Sequence, residues 1–246
     1  MRGRGLRRLK LGAAALTAVL TTVLGVAAAA PASAAAPRAT AAAGQPRNPG
    51  TTACEGPGNF GAQYLSAAWP GGFTGVPVYS DDPYYNGGKG GYASHCYNYV
   101  TNSSGKVVQS GMEWQCVELP NRLYLAKGWI SATWHGNGNE LYSTAASVGL
   151  TNKQPQGSIT YLGPGDVISF NGLSGYGHAA VVGAVSGSSI TLVNQNTGPS
   201  SIFSTGTLNN GSFTLNGWKG YTAVGVIHAP ISPPSPTRTF RGTSRT

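Results

Sequence analysis

From Pro155 onward the chain reads as one short strand after another, and this limits the possible folds more than any other feature. Val167-Ile168-Ser169-Phe170, Gly177 to Val185, Ile190 to Asn196, Phe213 to Leu215 and Tyr221 to His228 are apolar-rich runs. Gly, Ser, Pro and Asn separate them, as such residues punctuate strands. Leu162-Gly163-Pro164-Gly165-Asp166 turns into the first run, and Ser186-Gly187-Ser188-Ser189 is a tight turn between the second and third. Turns this short join antiparallel neighbours. A helix stands ahead of this meander, within 111–129. The order implies an α+β domain with the helix packed on an antiparallel sheet.

In that helix Leu119, Leu123 and Ala126 recur at helical spacing, with Val117 and Tyr124 on flanking rows. Gly128 is a stop signal. Pro120 fits only in the first turn, where a missing N–H breaks no intrahelical bond. Cys116 therefore falls at or just before the first turn. The free N–H groups and positive dipole end there favour thiolate over thiol. A buried or disulfide-bonded cysteine is the alternative at this point.

Ahead of the helix, 54–75 is rich in Gly and aromatic residues, with a short helix expected around Ala62 to Trp69. Val76-Pro77-Val78-Tyr79 suits an edge strand, where proline is tolerated. Asp81-Asp82-Pro83-Tyr84-Tyr85-Asn86-Gly87-Gly88 reads as turn chemistry rather than a calcium loop, since further spaced oxygen ligands are missing. His95 to Val100 and Val107 to Gln109 flank a turn and form a hairpin. Asn137-Gly138-Asn139 is a loop, and Glu140 to Val148 a second helix.

The first segment is not part of this fold. Arg2, Arg4, Arg7, Arg8 and Lys10 precede an apolar run from Leu11 to Ala30, and Ala32-Ser33-Ala34 gives a small-residue cleavage pattern. Residues 1–34 read as a secretory signal peptide cut after Ala34, leaving no membrane span. A retained anchor is the alternative. Residues 35–53 form a flexible leader, 54–230 the domain, and 231–246 a basic tail rich in Pro, Ser and Thr. The formal charge of +9 belongs mostly to the ends. The body holds six Lys and Arg against seven Asp and Glu. It has no basic patch interleaved with aromatics, so nucleic acid is excluded as a partner.

Three cysteines in an exported chain leave one thiol over, or pairing between chains. The simplest arrangement is a Cys54–Cys96 disulfide with Cys116 free, although sequence alone does not fix the pairing. A nucleophilic cysteine needs a base, and the base needs a partner that sets its tautomer. Of the four histidines, His95 precedes Cys96, His135 lies in a Trp/Gly/Asn loop, and His228 ends the last strand. His178 opens an apolar strand after a Gly-rich turn. Pairing outward from Gly187-Ser188 brings His178 and Asn194 to Asn196 to the same sheet end. Strand alternation then puts Asn194 and Asn196 on one face and Gln195 on the other.

Trp114-Gln115-Cys116-Val117-Glu118, Pro164 to Phe170, Gly177 to Val182 and Ile190 to Asn196 together resemble the successive blocks of a CHAP domain. That is the cysteine, histidine-dependent amidohydrolase/peptidase module of the wider NlpC/P60 group. The resemblance spans about Gly111 to Asn196. It implies a papain-like fold, N-terminal helices on a C-terminal antiparallel sheet, and cleavage of amide bonds in cell-wall peptidoglycan. By the same resemblance Cys116 is the nucleophile and His178 the general base and acid. Asn194 stands where the family usually has glutamate. Asn196 matches the family's trailing asparagine and shares the orienting role. The backbone N–H of Cys116, with Gln115 as a side-chain candidate, would hold the oxyanion.

The implied protein is a secreted or wall-associated monomer needing no metal or other cofactor. It is an N-acetylmuramoyl-L-alanine amidase or a cross-bridge endopeptidase. The alternatives are an amidase on another γ-glutamyl or peptidyl amide, because Gln-Cys-Val-Glu also resembles the glutathionylspermidine amidase domain, and a non-catalytic wall binder with a decayed site. Trp69, Trp114, Trp134 and Tyr176 are candidates to line a sugar or peptide groove, with core packing as their alternative.

Overall fold

A computed structural model describes residues 60–82 and 97–231. The signal and leader assigned to 1–34 and 35–53, and the tail beyond Ile231, lie outside the described residues. So do His95, Cys54 and Cys96, and with them the expected disulfide.

Strand β1 (Gln63–Leu65) pairs antiparallel with β2 (Val78–Tyr79). The helix expected around Ala62 to Trp69 is therefore a strand followed by a single turn, Pro70–Gly72. Pro70 biases Trp69 away from helical backbone, and Gly71 and Gly72 take φ of 73° and 78°. Trp69 is buried and donates its Nε1–H to Val76 O at 2.8 Å. Strands β3 (Tyr97–Thr101) and β4 (Val107–Met112) form the hairpin.

Helix α1 (Glu118–Ala126) begins with Val117 as its N-cap, so Pro120 falls in the first turn. Its end is tied by Gly128 N–H to Leu125 O at 3.0 Å and Trp129 N–H to Tyr124 O at 2.8 Å. Gly128, at φ 69°, makes this left-handed exit without a Cβ clash. The buried surface of the helix is wider than the row of Leu119 and Leu123. Glu118, Asn121 and Arg122, spaced like a solvent face, are as buried as Leu119 and Leu123. The β3–β4 hairpin covers one side of the helix and the main sheet the other. Helix α2 (Leu141–Thr144) runs on as a tighter turn, Ala145–Val148, and stops at left-handed Gly149.

The main sheet contains β5 (Lys153–Pro155), β6 (Val167–Asn171), β7 (His178–Ser186), β8 (Ser189–Val193), β9 (Phe203–Asn209), β10 (Ser212–Leu215) and β11 (Thr222–Ile227). All pairings are antiparallel, in the order β10-β9-β8-β7-β6-β11-β5. Alternation divides the side chains. Val167, Ala179, Val181, Val193 and Ile227 pack with Leu119 and Leu123 of α1. Ile168, Phe170, Ala180, Val182, Leu192 and Val226 form a second core with Phe213 of β10. The sheet curls far enough for β10 to meet the chain leaving β5. The Gln156 carboxamide bonds both the N–H and the C=O of Phe213, at 3.0 and 2.9 Å. This occupies a strand edge that would otherwise be open. Among the described residues no helix is long and apolar enough to cross a membrane.

Candidate active site

Cys116 lies two residues ahead of α1, against the start of β7. The N–H groups of Ala179, Val117 and Cys116 itself are aimed at its sulfur. Ala179 follows His178, so the sulfur and the imidazole belong to one small region. The β7 start is held from both sides. A Cβ on Gly177 would lie 2.1 Å from Phe170 O, and one on Gly138 would lie 2.5 Å from the His178 backbone. Only glycine allows these approaches. Ser169 Oγ donates to Gly138 O at 2.6 Å and fixes the loop in place.

The β7–β8 register pairs Val181 with Val193 and carries the next residue, Asn194, beside His178. Asn194 Oδ1 is 3.1 Å from His178 Nε2. Asn194 Nδ2 donates to Ser201 O at 3.1 Å and Ser204 Oγ at 3.0 Å, so the carboxamide oxygen is the end that faces the ring. His178 Nε2 therefore carries the proton, and Nδ1 holds the free lone pair.

Burial governs the charge state. His178 is 5 % exposed, and desolvation pushes its imidazole down to about 4 against the opposing hydrogen bond to Asn194. Desolvation pushes the Cys116 thiol up to about 11. Its three backbone N–H donors act downward and the nearby Asp81 carboxyl upward. The resting pair at neutral pH is thiol and neutral imidazole. The pull of the helix start toward thiolate is real but is outweighed by loss of water.

Gln195 faces the opposite side of the strand end, as alternation requires. Its Oε1 accepts from Tyr79 N–H and Arg122 Nη2, both at 3.1 Å. Its Nε2 donates to Glu118 Oε2 at 2.7 Å and Gln115 O at 3.2 Å. Arg122 Nε pairs with Glu118 Oε1 at 2.8 Å. Burial alone would raise the Glu118 carboxyl. Arg122 and the hydrogen bonds from Arg122, Asn98 and Gln195 hold it below the ordinary value.

Asn196 does not continue the alternation. β8 ends at Val193 and Asn196 has a φ of 60°. Its Nδ2 donates to Gln115 Oε1 at 2.8 Å instead of joining Asn194 at the histidine. Gln115 Nε2 donates to Asp81 Oδ2 at 2.9 Å, so Gln115 is clamped at both ends rather than held free for an oxyanion. Asp81 is fully buried, and desolvation raises its carboxyl to about 7 against the Gln115 bond. Sequence reasoning left Asp81 in a turn.

The aromatic residues also divide differently. Trp69, Trp114 and Trp134 are buried, and Tyr176 is exposed. The rings beside His178 are Trp218, at 5.1 Å between centroids, Tyr221, at 6.3 Å, and Phe170, at 6.4 Å. Nothing in the local sequence singled out Trp218. His135 is exposed. Among the described residues no three His, Cys, Asp or Glu side chains are grouped to hold a metal ion.

Set against known families, residues 85–196 match the CHAP domain. The chain therefore carries a CHAP domain, and such domains point in general to peptidoglycan hydrolase or amidase activity. No curated protein matches the chain.

Proposed function

We propose that this protein is a secreted peptidoglycan hydrolase that cleaves amide bonds through Cys116, His178 and Asn194. The observation that carries this reading is the 3.1 Å bond from His178 Nε2 to Asn194 Oδ1, one residue from the Ala179 N–H aimed at the Cys116 sulfur. The bond commits Nε2 as donor and leaves Nδ1 as the base.

The neutral resting pair supports general-base attack rather than a standing ion pair. His178 Nδ1 takes the thiol proton as the sulfur adds to the amide carbonyl carbon. Backbone N–H groups at the start of α1, that of Cys116 first, hold the developing oxyanion. His178 returns the proton to the leaving amine. Water, deprotonated by the same nitrogen, then hydrolyses the thioester. Asn194 keeps the ring oriented, but it brings no full charge to the imidazolium as a carboxylate would.

In this reading the chain is exported by residues 1–34, closes a Cys54–Cys96 disulfide, and works as a monomer on the wall with a papain-like arrangement of helix and sheet. The scissile bond is N-acetylmuramoyl-L-alanine or a cross-bridge amide. Digestion of purified peptidoglycan, followed by mass spectrometry of the soluble fragments, tests it. Wild type should release fragments with a new free amine, and Cys116→Ala should release none. Equal release by both would end the proposal.

A further inference from the structure

We propose that Gln195 is the positioning residue of the oxyanion hole, acting through the peptide group between Gln115 and Cys116. This rests on the reading of Cys116 as nucleophile. Across a trans peptide the C=O and N–H point in opposite directions, so fixing one fixes the other. Gln115 O accepts from Gln195 Nε2 at 3.2 Å and from Glu118 N–H at 3.1 Å, which fills both lone pairs. The N–H on the far side of that plane belongs to Cys116, the group assigned to the oxyanion.

Gln195 is itself immobile. It is 1 % exposed, and both ends of its carboxamide are engaged. The Tyr79 N–H ties it to β2, Glu118 and Arg122 tie it to the first turns of α1, and the chain ties it to Asn194. The Arg122 guanidinium donates to its oxygen, and its nitrogen donates to the Gln115 carbonyl. Charge-assisted donation at one end of such a chain strengthens donation at the other. The polarisation therefore runs from Arg122 through Gln195 to the Cys116 N–H. The neighbouring pair Asn194-Gln195 thus serves the base on one face of the strand end and the oxyanion donor on the other. A purely structural amide in this place would add stability and leave the reactivity of the sulfur toward carbonyls untouched.

Two reagents separate these roles without any wall substrate. p-Nitrophenyl acetate acetylates the thiol through a tetrahedral oxyanion. The sulfur bonds the carbonyl carbon, p-nitrophenolate leaves with its electron pair, and the thiol proton passes to His178. Iodoacetamide alkylates the same sulfur by displacing iodide, with no oxyanion formed. Both rates are read at Cys116 by peptide mass spectrometry. Gln195→Met should slow acetylation by at least about tenfold, given that loss of one oxyanion donor costs about 10²–10³, and should leave alkylation nearly unchanged. The exchange Gln195→Glu with Glu118→Gln keeps an amide-to-carboxylate bond and a carboxylate beside Arg122, but it turns an acceptor instead of an N–H toward Gln115 O. It should regain the melting temperature lost by Gln195→Met and still acetylate slowly. Parallel loss of both rates in Gln195→Met, or recovery of acetylation with stability in the exchanged pair, would overturn the proposal. If Gln195→Met does not fold, the exchanged pair decides alone. Failure to digest peptidoglycan would count against the hydrolase reading and leave these rates to stand or fall separately.

Discussion

His178 and His228 occupy opposite ends of the main sheet and, by their partners, exchange the roles that residue type would suggest. His228 is 1 % exposed and pairs through Nδ1 with the Asp166 carboxylate at 2.9 Å. That is the histidine–carboxylate couple usually sought in a hydrolase. Yet Tyr161 stacks on the ring at 4.0 Å, and Nε2 is buried with no partner. Asp166 also accepts from the Ala229 and Gly163 N–H groups, so it acts as the clasp of a turn. His178 has only a neutral carboxamide, but the segment it opens delivers an N–H to the Cys116 sulfur. A carboxylate partner does not make a histidine catalytic. What matters is which atom the other nitrogen can serve.

The sharpest attempt to break this contrast compares His178→Ala with His228→Ala. The first should lower peptidoglycan digestion by about 10³-fold or more while the protein stays folded. The second should cost about 1–3 kcal/mol of stability through the partner left unsatisfied, with digestion per folded molecule unchanged. Thermal melts and initial rates check both. A next test concerns the charged pair beneath the site. Arg122→Met leaves Glu118 buried without its cation and should cost about 3–5 kcal/mol. Because the Glu118 carboxyl is held below its ordinary value, its stabilisation is present above that value and is lost as pH falls toward the folded one. The acid-side decline in melting temperature should be weaker in the variant.

Asn194→Asp gives His178 the kind of partner His228 has. A carboxylate raises an adjacent imidazole by about one to three pH units. The thiolate–imidazolium pair stays a minor form, but its share rises with the basicity of the ring, and iodoacetamide labelling of Cys116 at pH ~6 should quicken by about tenfold or more. An unchanged labelling rate would mean that Asn194 does not control the ring. The smallest effect belongs to Asp81→Asn. Asp81 titrates near 7 in the fold against 3.8 for the free group. Its carboxylate form therefore costs stability increasingly as pH rises between those values. The variant should match wild type at pH ~4 and melt progressively higher than wild type as pH rises toward ~7.

The parts legible in the sequence are those set by short-range rules. The turn around Gly187 fixes the β7–β8 pairing, and with it the shared end of His178 and Asn194. Pro120 and Gly128 bracket α1 because proline and glycine act on their own backbone. The parts that were not legible depend on distant partners. The burial of Glu118 and Arg122 was not legible because Gln195, 73 residues beyond Arg122, is not visible as their partner in a local window. Asp81 read as turn chemistry because Gln115 lies 34 residues away. Strand β9 gave little signal because its inward positions include Ser204 and Gly206. Gly206 is small because a Cβ there would lie 2.1 Å from the Phe213 ring. Alternation also failed at Asn196, where the strand had already ended.

The central claim is that the sulfur of Cys116 carries the acyl group in a reaction driven by His178. Acid-quenching the protein during digestion of soluble peptidoglycan fragments, followed by peptide mass spectrometry, observes this directly. The account expects a hydroxylamine-sensitive thioester on Cys116 in wild type, and no adduct in His178→Ala. Fragment release with Cys116 unmodified throughout, and undiminished in Cys116→Ala, would contradict it.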